Sequence, residues 1–198
     1  MRELVLGGQK SGKSRWAEQR AAQWLAADRR HRALLLATAQ PRDAEMRARI
    51  ERHQRERAAR VPGLQTLEVS GTALPEALVR QSSPQALLVI DCLTLWLTQL
   101  WWPPAQPGAD ASVVAGRGAP TGAAAAEAAS AALLEALAQV SGPVVLVSHE
   151  IGLGVIPLGA DVRAFVDTLG QLNQRVAQAC ERVTLMVAGC ALTVKEAA

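Results

Sequence analysis

Residues 7–14 constrain the fold more than any other part of the sequence. They read GGQKSGKS and satisfy the pattern G-x-x-x-x-G-K-[ST]. A short apolar run at 3–6 precedes them, and a stretch with helical periodicity at 13–27 follows. A glycine-rich loop between a strand and a helix points successive backbone N–H groups at phosphate oxygens. The sequence therefore predicts a phosphate-binding loop on an α/β fold.

Two side chains of this loop and one later carboxylate have expected roles. Lys13 is expected to reach the β and γ phosphates, and the Ser14 hydroxyl to ligate Mg²⁺. Such sites also use an acid at the end of an apolar strand, and the run LLVID ends in Asp91. An Asp at this position could instead cap the next helix. The presence of the loop favours the metal role.

The rest of the chain alternates short runs rich in Leu and Val with longer stretches of helical periodicity. Strands are predicted at 3–6, 33–37, 65–69, 86–91, 143–148 and 183–188, with a short edge strand at 192–195. Helices are predicted at 13–27, 43–60, 73–81, 92–101, 123–140 and 162–181. Most strands are almost wholly apolar, as in a parallel sheet covered on both faces. We therefore predict an α/β fold with a mostly parallel sheet and helices on both faces.

Length and composition favour one domain. The chain has 198 residues, of which 49% are hydrophobic. This is enough to form the core of a single domain that spans residues 1–198. Residues 103–122 are dense in Pro, Gly and Ala and are predicted to form a flexible surface loop. No run is long and apolar enough for a membrane span, and the first residues lack the apolar core of a signal peptide. We expect a cytoplasmic protein.

The cysteines and the net charge exclude other classes. Cys92, Cys180 and Cys190 are an odd set without C-x-x-C spacing, which argues against disulfides and structural zinc and favours buried thiols. The formal net charge of +3 is too small to indicate nucleic-acid binding.

The segment 42–60 is rich in arginine and contains one histidine. Its seven arginines form either a solvated helix face or a polyphosphate site. Met46, Ile50 and His53 are spaced i, i+4, i+7, so the imidazole shares a helix face with two apolar side chains. Neutral imidazole can attack phosphorus, although the spacing alone favours a partly buried structural histidine. His31 is predicted to be solvated, and His149 either lies near the nucleotide or bonds a backbone carbonyl.

The remaining signals narrow the function class. The only lysines are Lys10, Lys13 and Lys195, so the N/T-K-x-D segment with which signalling GTPases read guanine is missing. A small-molecule kinase or nucleotidyltransferase is favoured. Two alternatives stay open: a kinase with a single activity in which His53 is idle, and a regulatory module that uses GTP as a switch.

Several segments together resemble one family, the bifunctional adenosylcobinamide kinase / adenosylcobinamide-phosphate guanylyltransferases of cobalamin biosynthesis. The resemblance rests on GGQKSGKSR at 7–15, ATAQ at 37–40, EMRARIERH at 45–53, DCLT at 91–94, VSHEIGLGVIP at 147–157 and DTLGQLNQ at 167–174. These blocks are spread along almost the whole chain, in the order in which they occur in the family. The resemblance implies a RecA-like P-loop scaffold and two reactions. The first passes the γ-phosphate of ATP or GTP to adenosylcobinamide, and the second transfers GMP from GTP through a histidine to adenosylcobinamide phosphate.

The resemblance also implies roles for individual residues. His53 matches the histidine that carries GMP, and Lys13 acts with it in catalysis. The implied nucleotide-binding residues are Gly7, Gly8, Gln9, Lys10, Ser11, Gly12, Lys13, Ser14, Thr38, Ala39, Gln40, Gln54, Arg55, Glu56, Arg57, Glu68 and Asp91, with Ser14 and Asp91 at Mg²⁺. Members of the family often have Asn where this chain has His149.

The family implies a homotrimer, for which the apolar segment from Leu95 to Trp102 is a candidate interface. The side chains in question are those of Leu95, Trp96, Leu100, Trp101 and Trp102. An apolar cluster of this kind either covers a subunit interface or fills the core. The sequence leaves both open.

Overall fold

The computed structural model describes residues 1–41, 43–103 and 122–197. Most of the predicted loop at 103–122, namely residues 104–121, lies outside the described residues, as does Arg42. The strands are β1 (Arg2–Gly7), β2 (Arg32–Ala37), β3 (Leu64–Glu68), β4 (Ala86–Asp91), β5 (Val144–Val147), β6 (Arg182–Val187) and β7 (Cys190–Glu196). The helices are α1 (Lys13–Ala27), α2 (Ala44–Arg60), α3 (Leu74–Gln81), α4 (Leu93–Trp101), α5 (Gly122–Gln139) and α6 (Ala160–Ala179), and a 3₁₀ turn at Gly71–Ala73 precedes α3.

The seven strands form one sheet in the order β3-β2-β4-β5-β1-β6-β7. Every neighbouring pair is parallel except β6 and β7, which are antiparallel. The carboxyl ends of β1 to β5 therefore meet at one edge of the sheet, where ligands bind in open α/β folds. The prediction of a mostly parallel α/β sheet is confirmed.

Helices cover both faces of this sheet. Successive strand residues point to opposite faces, so each strand contributes side chains to the core on either side. One core packs α3, α4, α5 and α6 against inward-facing residues such as Leu4, Leu88 and Leu146. The other packs α1 against residues such as Val5, Val89 and Val145. Strands with apolar side chains on both faces are thus explained by two cores.

The N-termini of α2 and α4 show which residues cap these helices. The Asp43 carboxylate accepts a hydrogen bond from the backbone N–H of Met46, at 2.7 Å, and so caps α2. At α4 the N-cap position belongs to Cys92. Asp91 therefore ends β4 without capping the next helix, which leaves its carboxylate available to the loop.

Some local predictions need correction or refinement. Cys190 is exposed on β7, whereas Cys92 and Cys180 are buried. His31 is half-buried, because its ring stacks on that of Trp24 with 3.7 Å between the centroids.

The apolar segment predicted as core or interface is mainly core. Trp96, Leu100 and Trp101 are all buried within the first of the two cores, whereas Leu95 and Trp102 are half-buried. In the described ranges, no helix is long and apolar enough to cross a membrane.

Candidate active site

The phosphate-binding loop connects β1 to α1, and its shape depends on two glycines. A Cβ on Gly7 would lie 2.5 Å from the Met186 carbonyl oxygen, so only glycine fits there. Gly12 has φ 104° and occupies the N-cap of α1. The β6–β7 turn supports the loop, since the Gly189 N–H donates to the Ser11 carbonyl at 2.9 Å. The first N–H groups of α1 thus face the space above the loop.

Lys13 lies inside this loop. Its Nζ donates to the Gly8 carbonyl at 2.6 Å, and the residue is 5% exposed. Burial lowers the pKa of Lys13, while Cys92 and Asp91 act in the opposite direction. An ammonium group held among backbone dipoles is placed to bind phosphate oxygens.

Asp91 and Ser14 form the oxygen-rich side of the loop. Asp91 ends β4 between β2 and β5, and the Ser14 hydroxyl faces its carboxylate. Burial raises the pKa of the Asp91 carboxyl, while Ser14 and the positive charges of Arg57 and Lys13 lower it. A carboxylate beside a hydroxyl offers the hard oxygen donors that Mg²⁺ prefers. Among the described residues, no group of three or more His, Cys, Asp or Glu side chains is placed to hold a metal ion.

A cavity of about 670 Å³ opens above the loop, between the sheet edge and α2. Met46, Ile50 and His53 all line it, so the face predicted from their spacing is the face of α2 that turns toward the loop. His53 itself is exposed, and Arg57 is the buried residue of this helix. The cavity therefore brings an accessible imidazole and the phosphate-binding loop to the same space.

Most of the sequence-predicted site residues lie on the cavity wall. Those on the wall are Gly8, Gln9, Lys10, Ser11, Gly12, Lys13, Ser14, Ala39, His53, Gln54, Glu56, Arg57, Glu68 and Asp91. Gly7, Thr38, Gln40 and Arg55 are not on it.

Thr38 is fully buried below the wall. Its hydroxyl donates to the Cys92 carbonyl at 2.7 Å and accepts from the Cys92 N–H at 2.8 Å. Its carbonyl accepts a hydrogen bond from the Gln99 side chain. Thr38 therefore holds the turn after β4 in place beneath Asp91.

His149 follows β5 and lies on the cavity wall. Its Nδ1 is 3.2 Å from the Thr94 hydroxyl, which also accepts from the His149 N–H at 2.9 Å. The Asn173 side chain donates to the His149 carbonyl at 3.1 Å. Burial lowers the pKa of His149 to about 4, and the positive charges of Lys13 and Arg49 add to this effect. The ring is therefore neutral at pH 7, and it lies on the wall of the cavity that the loop also lines.

Glu18 is a cavity residue that sequence reasoning missed. It is 6% exposed on α1, one helical turn after Ser14, and its carboxylate accepts from Arg60 at 2.8 Å. The i+4 spacing from Ser14 was the available signal, since it places Glu18 on the same face of α1 as Ser14. Its partner, seven residues beyond His53, is visible only in the structure.

A strand, a phosphate-binding loop with Lys and Ser, and an acid at the end of another parallel strand of the same sheet define a P-loop nucleotide-binding protein. The chain matches the family described as cobinamide kinase / cobinamide phosphate guanyltransferase over residues 3–194. The chain belongs to this family.

Three relatives match along nearly their whole length. The bifunctional adenosylcobalamin biosynthesis protein CobP of Pseudomonas aeruginosa is 40% identical over 195 residues, covering 98% of both chains. The bifunctional adenosylcobalamin biosynthesis proteins CobU of Escherichia coli and Salmonella typhimurium are 34% and 32% identical, and each alignment covers 97% of this chain and 98% of the relative. The predicted family of bifunctional kinase and guanylyltransferase enzymes is thus confirmed.

Proposed function

We propose that this chain phosphorylates adenosylcobinamide with ATP or GTP and then transfers GMP from GTP, through a GMP–His53 intermediate, to adenosylcobinamide phosphate. The product is adenosylcobinamide-GDP, in the nucleotide-loop assembly of adenosylcobalamin biosynthesis. One observation carries the proposal: His53 and the phosphate-binding loop line the same cavity. A single bound triphosphate can then be attacked at either of two phosphorus atoms.

In the first reaction the terminal phosphate passes to the acceptor. The hydroxyl oxygen of the substrate forms a bond to the γ-phosphorus, the bond to the bridging oxygen breaks, and the nucleoside diphosphate leaves with the electron pair. The N–H groups at the start of α1 and the Lys13 ammonium stabilise the charge on the phosphate oxygens. The hydroxyl proton passes to water or to a neighbouring base.

In the second reaction an imidazole nitrogen of His53 bonds to the α-phosphorus of GTP. The bond from that phosphorus to the bridging oxygen breaks, and pyrophosphate leaves. Arg49, Arg52 and Arg57 line the cavity beside His53 and stabilise the charge that develops. A phosphate oxygen of adenosylcobinamide phosphate then displaces the histidine, which restores the imidazole.

The nucleotide is held by the predicted residues on the cavity wall, and Ser14 and Asp91 would hold Mg²⁺. When bound there, the cation would neutralise phosphate charge. Gly7 and Thr38 lie beneath the wall, so their contribution to binding is to shape the loop and the turn after β4. Gln40 and Arg55 are expected to contact nucleotide only in a complex that differs from this arrangement.

The test is covalent labelling. Purified protein is incubated with Mg²⁺ and GTP labelled at the α-phosphate, and acid-labile, base-stable label is counted on wild type and His53→Asn. We expect label on the wild type only. His31→Asn is the matched control, because His31 stacks on Trp24 and is not on the cavity wall. Equal label on wild type and His53→Asn would contradict the assignment.

A single-activity kinase is the second candidate, and the exposure of His53 is the observation that keeps it open. This candidate predicts no label on any variant but normal phosphorylation of adenosylcobinamide. A GTP switch predicts slow hydrolysis to GDP with neither product. The same protein preparation distinguishes all three.

We further propose a homo-oligomer, a trimer by resemblance to the family, located in the cytoplasm where nucleoside triphosphates are supplied. The segment after His149 supports association, since it exposes Leu153, Val155, Ile156 and Leu158. These side chains replace the tryptophan segment as the interface candidate, because most of that segment is core.

A further inference from the structure

The helix that carries His53 is attached to the rest of the molecule mainly at its C-terminal end. Its N-terminal half has half-buried Met46, Arg49 and Ile50 toward the cavity and exposed residues elsewhere. Val61, the residue after the helix, is buried in the core beside α1. One end of α2 is thus fixed, and the direction of the helix from that point determines where His53 lies.

Two polar contacts define this direction. Arg60 Nε donates to Glu18 Oε2 at 2.8 Å, and Arg57 donates to the Thr66 hydroxyl at 3.3 Å. Arg57 is 9% exposed, and its guanidinium faces the charges of Glu18 and Asp91. Glu18 therefore carries negative charge toward two arginines of α2 from a position one turn after Ser14.

We propose that Glu18 is a positioning residue for guanylyl transfer, which holds α2 so that His53 faces the α-phosphate of a nucleotide bound in the loop. The inference rests on the proposed role of His53. Arg57 is one turn and Arg60 two turns from His53, about 10 Å along the helix axis. Because Glu18 and Ser14 share α1, the ion pair ties the imidazole to the same rigid element that begins the phosphate site.

The chemistry of the pair suits this role better than an apolar contact would. A carboxylate and a guanidinium form directional hydrogen bonds, which fix rotation as well as distance. Apolar packing at Val61 fixes distance alone. A displacement of the nucleophile by about 1 Å is enough to reduce a rate by about 100-fold.

The test compares the two activities in Glu18→Gln, Arg60→Gln and the double variant. We expect the rate of labelling by α-labelled GTP to fall by about 10- to 100-fold in each single variant, with the KM for GTP changed much less. The double variant should be no slower than the slower single variant, since the two changes remove the same contact between Glu18 and Arg60. Glu51→Gln is the control, because Glu51 is exposed on α2 and is not on the cavity wall.

Amide hydrogen exchange of residues 44–60 gives a readout that does not depend on either catalysed reaction. Exchange should be faster in Glu18→Gln than in wild type and unchanged in Glu51→Gln. A purely structural role predicts instead that kinase activity, labelling and thermal stability decline together.

The outcomes separate this inference from the function on which it rests. If wild type is labelled and Glu18→Gln is labelled equally fast, or if exchange in α2 does not change, the positioning role is overturned alone. If wild type is not labelled while it phosphorylates adenosylcobinamide, the role of His53 falls and the inference falls with it. Slow labelling together with faster exchange supports both.

Discussion

Lys13 combines burial with positive charge at the centre of the phosphate-binding loop. Its ammonium donates to the Gly8 carbonyl at 2.6 Å and would exchange this partner for phosphate oxygens. Charge-assisted hydrogen bonds contribute about 1.5–3 kcal/mol each. We expect Lys13→Ala to bind GTP about 10- to 100-fold more weakly and to lose both activities, as measured by calorimetry and product assays.

The control for this change is Arg29→Ala, which removes an exposed positive charge between α1 and β2. It should bind GTP as the wild type does. Normal GTP affinity in Lys13→Ala would contradict the assignment of the loop.

His149 gives a prediction about pH. Burial lowers the pKa of the folded imidazole to about 4, from 6.5 in the unfolded chain. The unfolded state therefore binds the proton more tightly, so His149 contributes stability that is complete above about pH 6.5 and is lost as the pH falls toward 4. We expect a titration of the ring by NMR to show a midpoint near 4.

The same residue allows a matched comparison of stability. His149→Asn should show a smaller decrease in the free energy of unfolding between pH 6.5 and 4 than wild type, because the common carboxylate contributions cancel. A midpoint near 6.5 in the folded protein would show that the ring is solvated.

At the scale of elements, one buried carboxylate joins α1 to the sheet. Glu3 on β1 is fully buried and accepts from Arg20 Nε at 2.9 Å, Trp16 Nε1 at 3.0 Å and the Thr184 hydroxyl at 2.8 Å. Glu3→Ala leaves three donors without this partner. We expect it to lower the free energy of unfolding by about 3–5 kcal/mol, measured by urea titration.

The control for Glu3 is Glu76→Ala, which removes an exposed i,i+4 pair with Arg80 on α3. Its effect should stay within about 0.5 kcal/mol. Equal effects of the two changes would show that the Glu3 cluster contributes no more than a surface pair.

The elements themselves could be predicted because their signals are local. The run at 86–91 is apolar throughout, so both faces must be covered, and its observed bounds are the predicted ones. The loop motif likewise specifies Lys13 and Ser14 by spacing alone.

Long-range polar partners could not be predicted in this way. Glu3 meets Thr184 across 181 positions, and Glu18 meets Arg60 across 42. Nothing in the local pattern distinguishes these carboxylates from those on solvated helix faces. The structure is therefore needed to find the contacts that place α1 and α2.

At the scale of the whole molecule, two segments of the described residues each expose two or more large apolar side chains. One is the segment after His149, where Leu153, Val155, Ile156 and Leu158 are 78–99% exposed. The other is the edge strand β7, where Leu192 and Val194 are 59% and 61% exposed. Burial of apolar area drives association, so either surface can serve as an interface.

We expect the segment after His149 to form the interface, since its side chains are the more exposed. In sedimentation velocity the wild type should show three times the chain mass of 21.0 kDa. The double change Leu153→Ser and Ile156→Ser should shift it toward the monomer, whereas Val194→Ser should leave the oligomer intact. Dissociation by Val194→Ser alone would move the interface to β7, and a monomeric wild type would contradict association through either surface.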